Sequence, residues 1–158
     1  MSYLGAGDVS AVLRPEGLAE SVVLRSATAH LIAPGSLTDG RFGLFRWDMA
    51  PRGAGPNPHF HRTFAESFFV LSGAVTLYDG REWAAAGPGD FLYVPDGGVH
   101  GFRNDTDAEA SMLILFAPGP PRERYFRELA EVFASGRTLG QDEWLQLWAR
   151  HDQYPAAG

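Results

Sequence analysis

The first 117 residues consist mainly of short runs in which apolar and polar positions alternate. Such alternation is the pattern of a half-buried β-strand. Each run is rich in β-branched and aromatic residues and is bounded by Gly, Pro, Asp or Asn. Turn signals about every eight to twelve residues, with no long amphipathic helix between them, favour a sandwich or barrel over a parallel α/β sheet. The predicted strands are one or two within 21–32, then 41–49, 59–62, 67–71, 75–78, 91–94, 100–103 and 111–116.

A helical pattern replaces this alternation after the proline-rich segment 118–121. Over 122–134, apolar residues recur at helical spacing and Arg and Glu stand four positions apart, so we predict a helix there. A second short helix is predicted over 142–150. We expect both helices to pack against the outside of the β core, and the alternatives are a lid over a pocket or a dimer contact.

The length of 158 residues fits a single domain. Within it we distinguish an N-terminal arm (1–20), a β-barrel (21–117) and a C-terminal helical extension (118–158). The expected fold class is therefore all-β, with one or two helices added at the C-terminal end.

Charge and hydropathy narrow the range of partners. The net charge of −6 at pH 7 argues against a nucleic-acid-binding surface. No apolar run approaches the ~18 residues that a membrane span needs, and the first residues lack the charged and apolar regions of a signal peptide. We therefore expect a soluble, cytoplasmic protein that binds a small molecule rather than a nucleic acid or a membrane.

Two residue types are missing from the chain. Without cysteine there is no disulfide, thiolate ligand or thiol nucleophile. Lysine is also absent, since all 13 Lys and Arg positions are arginine, which excludes Schiff-base chemistry and the phosphate-binding lysine of a P-loop.

Three of the five histidines and one glutamate form the candidate chemistry. His59 and His61 are one residue apart, so on a strand they point to the same face. Glu66 breaks this alternation, and a turn or bulge just before it is needed to bring its carboxylate inward. His100 follows a predicted tight turn, and the three imidazoles meet if its segment runs beside the strand of His59 and His61.

Such a ligand set suits one divalent first-row metal ion: Fe, Ni, Co, Mn, Cu or Zn. Four protein ligands leave one or two positions open on a five- or six-coordinate metal, so that substrate or water can bind. Taken alone, a His-X-His pair is weak evidence, and a single glutamate is most often a solvated charge. The agreement of ten spaced positions favours the metal site over that interpretation.

These ten positions resemble the two motifs of the cupin superfamily. The matching residues are Gly53, His59, His61, Glu66 and Gly73 in the first motif, and Gly89, Pro95, Gly97, His100 and Asn104 in the second. The 15 residues between the motifs equal the short spacer of small microbial cupins. The resemblance implies a jelly-roll, or double-stranded β-helix, barrel that holds the metal inside through His59, His61, Glu66 and His100. It also implies a monocupin, a kind of protein that often forms homodimers.

A second resemblance is to quercetin 2,3-dioxygenase-like cupins. Residues 30–34 and 38–40, the Pro-Asn-Pro-His-Phe-His form of the first motif and the helix after Pro118-Gly119 are similar to that group. This resemblance implies a metal-dependent dioxygenase, an oxidoreductase that uses dioxygen and acts on an aromatic or flavonol-like small molecule.

In this first hypothesis, Glu66 is both a metal ligand and the catalytic general base that takes the substrate's hydroxyl proton. Candidates to line an apolar substrate pocket, with ordinary barrel core as the alternative, are Phe45, Trp47, Phe68, Val70 and Phe102. A second hypothesis keeps the metal as a Lewis acid without dioxygen, in a cyclase, isomerase or lyase of secondary metabolism that is similar to polyketide cyclases. A third is a sugar- or metabolite-binding cupin without turnover.

Overall fold

The computed structural model describes residues 2–157, so the first residue of the predicted arm and the last of the predicted extension lie outside the described residues. A single 3-10 turn (Glu16–Leu18) precedes the first strand. The strands are β1 (Glu20–Val23), β2 (Ala27–Ala33), β3 (Gly43–Met49), β4 (His59–Phe60), β5 (Ala65–Ser72), β6 (Val75–Tyr78), β7 (Trp83–Ala86), β8 (Phe91–Val94), β9 (Gly101–Arg103), β10 (Ala110–Ala117) and β11 (Tyr154–Pro155). The helices are α1 (Arg122–Ala134) and α2 (Gln141–Arg150), and within residues 2–157 neither is long and apolar enough to cross a membrane.

Antiparallel pairing organises the strands into two main sheets. Six strands form the larger sheet in the order β1-β2-β3-β10-β5-β8, and three form the smaller sheet in the order β7-β6-β9. A separate two-stranded ribbon joins β4 to β11. Because strands far apart in sequence are neighbours in the larger sheet, the topology is of the jelly-roll kind. The predicted all-β class with C-terminal helices is confirmed.

The hydrophobic core lies where the two sheets face each other. In β3, every second residue from Gly43 to Met49 is buried, and β10 alternates in the same way. Trp47 and Phe68 of the larger sheet contact Phe102 of the smaller sheet, with ring centroids 5.7 and 5.6 Å apart. Burying each such ring contributes about 1.5–3 kcal/mol to folding, so these contacts hold the sheets together.

The predicted elements differ from the observed ones mainly at the shortest strands. The strands predicted over 75–78 and 91–94 and the helix over 122–134 coincide with β6, β8 and α1. The alternation pattern does not predict β7 or β11, because one is rich in alanine and the other contains a proline. Pairing with β6 and β4 makes them strands, so tertiary context outweighs their weak strand propensity.

The two helices do not simply cover the outside of the β core, as expected from sequence. Phe126 and Leu129 of α1 and Trp144 and Trp148 of α2 border a large cavity in the β-structure. The reason is topological: β11 follows α2 and pairs with β4, so the chain must carry α2 past the cavity. The lid alternative is the better description.

Candidate metal centre

The four side chains predicted as metal ligands meet in one place. One ligand atom from each of His59, His61, Glu66 and His100 lies within 4.8 Å of the others. All four residues are buried. The closest pair of imidazole rings, His59 and His100, has centroids 4.4 Å apart. Histidines from two separate segments therefore form one compact cluster, which we call the ligand cluster.

Backbone pairing brings the two histidine segments together. The backbone N–H of His59 donates to the carbonyl oxygen of His100 and the reverse bond is also made, both at 2.9 Å. The N–H of Gly97 donates to the carbonyl oxygen of His61 at 2.6 Å. The segments thus run antiparallel and side by side, as the meeting of three imidazoles requires.

Glu66 reaches the ligand cluster from β5. Residues 61–64 are outside any strand, so the alternation set by His59 and His61 is broken before β5 begins. Within β5, Glu66 stands opposite Val94 of β8 and Phe116 of β10. A turn therefore precedes Glu66, where the sequence requires one, and pairing on both sides fixes the backbone that carries the carboxylate.

Backbone carbonyl oxygens hold all three imidazoles in one tautomer. The Nδ1 partners are the carbonyl oxygens of Asn57 for His59 (2.8 Å), Asp152 for His61 (2.7 Å) and Gly98 for His100 (3.0 Å). Because a carbonyl oxygen only accepts hydrogen bonds, each Nδ1 carries the proton and each Nε2 lone pair is left free. Histidines that bind metals are typically oriented in this way.

The contacts of Glu66 show that the ligand cluster fits a cation. Its Oε2 lies 2.9 Å from Nε2 of His61 and 2.7 Å from Nε2 of His100. With neutral imidazoles, each contact brings two acceptors together, and only a proton or a metal ion between them removes the repulsion. Three imidazoles and one carboxylate are a donor set that first-row divalent metals accept, so the residues fit such an ion.

Burial and neighbouring charges set the protonation of the ligand cluster. Burial, reinforced by His100, lowers the pKa of His59 from 6.5 to about 3. Burial alone would raise the pKa of Glu66, but the charge and hydrogen bonds of His100 and His61 hold this pKa well below 4.5. Burial alone would lower the pKa of His100, and the Glu66 carboxylate outweighs it and raises this pKa above 6.5. Glu66 is thus ionised and His59 is neutral, while the raised pKa of His100 favours a proton between its Nε2 and Oε2 of Glu66 when no metal ion is bound.

Two other motif residues shape the backbone instead of joining the ligand cluster. Gly73 has a φ of +71°, and a Cβ there would lie 2.4 Å from the carbonyl oxygen of Glu109, so other residues do not fit. Asn104 is buried, its Nδ2 donates to two backbone carbonyl oxygens, and its Oδ1 accepts from the amide and hydroxyl of Thr106. Asn104 therefore has the backbone-fixing role predicted for it.

Asp152, which sequence analysis does not find, supports His61 from the C-terminal segment. Besides the carbonyl bond to His61, its carboxylate accepts from the backbone N–H groups of Arg62 (3.0 Å) and Thr63 (2.9 Å) and from the Thr63 hydroxyl (2.6 Å). Two residues further on, β11 pairs with β4. Asp152 is 91 positions from His61 and belongs to no motif, so no local signal marks it.

The ligand cluster borders a cavity of about 770 Å³. His59 and Glu66 lie in its wall, with apolar residues of α1 and α2 on other sides. Among the five predicted pocket residues, Trp47 and Phe102 border this cavity. The other three, Phe45, Phe68 and Val70, are buried in the core and are not part of its lining. The indoles of Trp144 and Trp148, which stack with centroids 5.5 Å apart, border the cavity without having been predicted to.

Comparison with known proteins agrees with this geometry. The cupin domain family matches residues 45–116, which include the whole ligand cluster. Quercetin 2,3-dioxygenase of Bacillus subtilis is 31% identical over 104 residues, which are 66% of this chain and 30% of that enzyme. An uncharacterized protein of Aquifex aeolicus is 34% identical over 61 residues, which are 39% of this chain and 50% of that protein. The chain thus spans half or less of the length of these relatives.

Solved structures show the same fold. KdgF from a Halomonas species has a TM-score of 0.63 at 17% identity and covers 72% of this chain and 99% of its own. A polyketide cyclase from Streptomyces resistomycificus has a TM-score of 0.58 at 22% identity, covering 68% and 80%. A sugar phosphate isomerase of the cupin superfamily from Silicibacter pomeroyi has a TM-score of 0.52 at 26% identity, covering 58% and 59%. The cupin domain match, the two motifs and the shared fold together support a cupin superfamily protein.

Proposed function

We propose that this protein is a metal-dependent dioxygenase that acts on an aromatic, flavonol-like small molecule. The observation that supports it most is that His59 and Glu66, two of the four candidate ligands, lie in the wall of an aromatic-lined cavity. The cavity volume of about 770 Å³ is within the usual range for small-molecule sites. A ligand in this cavity can therefore reach an open position of a metal in the ligand cluster.

The side chains of the ligand cluster have two parts in this proposal. His59, His61, Glu66 and His100 would hold a divalent metal, which when bound supplies Lewis-acid and redox chemistry. Glu66 also accepts the hydroxyl proton of the substrate. Both of its histidine contacts use Oε2, which leaves Oε1 to take this proton.

The cavity walls favour a planar, apolar ligand. Trp144 and Trp148 border it from α2, and Trp47 and Phe126, whose ring centroids are 5.1 Å apart, border it from β3 and α1. Such rings bind a flat ligand by stacking and keep water from the reacting atoms. The identity with the Bacillus subtilis quercetin 2,3-dioxygenase supports an aromatic substrate as well.

Oxygen uptake tests the dioxygenase assignment. The purified protein is stripped with a chelator and reloaded separately with Fe, Ni, Co, Mn, Cu or Zn, and oxygen consumption is then followed with a panel of flavonols and catechols. We expect uptake with at least one metal and one substrate. Stoichiometric metal binding with no uptake for any combination would contradict the assignment.

A non-oxidative reaction is the second candidate. The same ligand cluster, with Glu66 as base, would serve a cyclase or isomerase that does not use dioxygen. The 26% identity with the Silicibacter pomeroyi sugar phosphate isomerase favours this alternative. Turnover of a candidate substrate under anaerobic conditions would support this reaction. Binding without turnover, with or without oxygen, would support a metabolite-binding role instead.

The outer face of the larger sheet supports a homodimer. Phe69 and Phe91 stand opposite each other on β5 and β8, and Tyr93 follows on the same strand as Phe91. Phe91 and Tyr93 are 62% and 61% exposed, which is unusual for large apolar side chains side by side on a sheet. A second copy of the chain would cover them.

A further inference from the structure

Arg122, the first residue of α1, is a buried cation on the wall of the cavity. Its exposed fraction is 4%, and it borders the cavity together with His59 and Glu66. Burial lowers the pKa of the guanidinium, but an arginine side chain stays protonated near neutral pH. A permanent positive charge therefore lies inside the protein, at the edge of the candidate substrate site.

This charge has no carboxylate partner within residues 2–157. None of the ion pairs there includes Arg122. Its Nη1 donates to the carbonyl oxygen of His151 at 2.8 Å and its Nη2 to Oε1 of Gln153 at 3.1 Å, and both acceptors are neutral. The ring of Tyr125 has its centroid 4.3 Å from the guanidinium carbon. The Glu66 and Asp152 carboxylates attract this charge without forming an ion pair with it, and a buried charge that no anion contacts is costly.

Two N–H donors of the cavity wall also lack a protein acceptor. They are Nε of Arg122 and Nε1 of Trp47, both buried and both without a partner in the described part of the chain. Both residues border the cavity. Because buried donors are almost always satisfied, these two unpaired N–H groups add to the excess of positive electrostatic potential behind this wall, although neither nitrogen is exposed to the cavity itself.

The balance of charge indicates the sign of that ligand. Glu66 contributes one negative charge and Arg122 one positive charge, while the three imidazoles are neutral as metal ligands. A divalent metal would add two positive charges, so the loaded site would keep a net charge of about +1 even when the nearby Asp152 carboxylate is counted. An organic anion reduces this charge, and a neutral ligand of the same shape does not.

We propose that the cavity selects aromatic carboxylates over neutral aromatic molecules of the same shape, and that Arg122 sets this preference. The inference rests on the function proposed above and narrows its substrate class.

Binding of a matched pair of probes tests the inference. Naphthoate and naphthamide have nearly the same shape, and only naphthoate is charged near neutral pH. Calorimetric titration of the wild-type protein should give a dissociation constant at least about tenfold lower for naphthoate. In Arg122→Gln this ratio should fall close to one without metal and should also decrease with metal bound.

Three further variants separate charge from structure. Arg124→Gln removes a charge from an exposed position of the same helix and should leave the ratio unchanged. Gln153→Leu removes one hydrogen bond of Arg122 but keeps its charge, so the ratio should also persist. Arg122→Lys keeps the charge and should keep most of the preference.

Equal binding of the two probes by the wild-type protein would overturn the inference. A folded Arg122→Gln with the same ratio of dissociation constants as the wild type would overturn it as well. If Arg122→Gln does not fold, the inference is judged from the wild-type protein and from Arg122→Lys. Loss of the preference for naphthoate in a folded Arg122→Lys would also contradict the inference. Failure of the proposed function is recognised separately: oxygen uptake would be absent while naphthoate was still preferred.

Discussion

At the scale of single residues, the proposed function gives Glu66 two roles, metal ligand and general base, that one substitution separates. Glu66→Gln keeps an oxygen next to His61 and His100 but removes the negative charge and the base. We expect the metal to remain bound with lower affinity, while turnover falls by about 100-fold or more, the usual contribution of a general base. Metal content by mass spectrometry and kcat from oxygen uptake measure the two effects.

The control for this prediction is Glu109→Gln, which changes an exposed carboxylate and should alter neither metal content nor kcat. Near wild-type turnover in Glu66→Gln with a full metal complement would show that another group takes the proton.

The meeting of the four candidate ligands could be predicted from sequence because their spacing is fixed by strands and turns that leave a local pattern. Asp152 and Arg122 could not, because each depends on the path of the C-terminal segment. Asp152 contacts His61 across 91 positions, and Arg122 contacts His151 across 29. In sequence, both are ordinary charged residues, Arg122 at the start of a helical pattern and Asp152 just after one.

At the scale of elements, the contribution of the C-terminal segment can be tested by changing Asp152, which lies two residues before β11. Asp152→Ala removes the three hydrogen bonds to Arg62 and Thr63. We expect the free energy of unfolding to fall by about 1–3 kcal/mol and metal affinity to fall by about tenfold. Denaturant unfolding and metal titration check these values.

Asp152→Asn is the matched variant, because asparagine tolerates the positive φ of 54° and keeps one acceptor oxygen. Its free energy of unfolding and its metal affinity should both lie between those of Asp152→Ala and the wild type. Unchanged metal affinity in both variants would contradict a supporting role of the C-terminal segment.

The contact between β1 and α1 gives a pH-dependent prediction. Hydrogen bonding from Arg127 lowers the pKa of Glu20 below 4.5. A lowered folded-state pKa stabilises the fold above the unfolded-state pKa, and this contribution is lost as pH falls through the folded-state value. Because the two side chains are 47% and 45% exposed, we expect Glu20→Gln to cost at most about 1 kcal/mol at neutral pH.

Unfolding curves of the wild type and Glu20→Gln, recorded from neutral to acidic pH, check the sign. The difference in free energy of unfolding should vanish in acid. A difference that grows in acid would mean that Glu20 acts through something other than its charge.

The regular elements were predictable where a segment carries its own pattern, as in β6, β8 and α1. In β7 and β11 the pattern is weak, and pairing with a neighbouring strand determines the conformation. The two helices could be predicted from the helical spacing of their apolar residues, but their position beside the cavity could not. Such spacing shows which face of a helix is buried and does not show what packs against that face.

At the scale of the whole molecule, metal removal should lower stability. A metal that binds the folded ligand cluster and not the unfolded chain stabilises by about 2.7 kcal/mol at a hundredfold excess over its Kd. We expect the Tm to fall on chelation and to recover on reloading, as followed by calorimetry.

His100→Ala, which removes one candidate ligand, should have a Tm that responds much less to metal. A wild-type Tm that is the same with and without metal would argue against a metal in the folded protein.

The proposed homodimer predicts that Phe91→Glu gives a monomer, because a buried charge at the contact of two copies is costly. Light scattering after gel filtration measures the mass. Leu18→Glu, which changes an exposed apolar residue outside this face, is the control. A monomeric wild type would contradict the proposal.

The pairing of β11 with β4 has a consequence for how metal occupancy can be observed. In the proposed function, docking of the C-terminal segment and binding of the ion would be linked through the contact of Asp152 with His61, so each would strengthen the other by the same factor. The amide of Ala156 donates to the carbonyl oxygen of Pro58 at 3.0 Å, so it exchanges with solvent when this hydrogen bond opens, as it does when the segment detaches. Its rate of hydrogen exchange should therefore slow as the ion binds, and it would report occupancy from the opposite end of the chain.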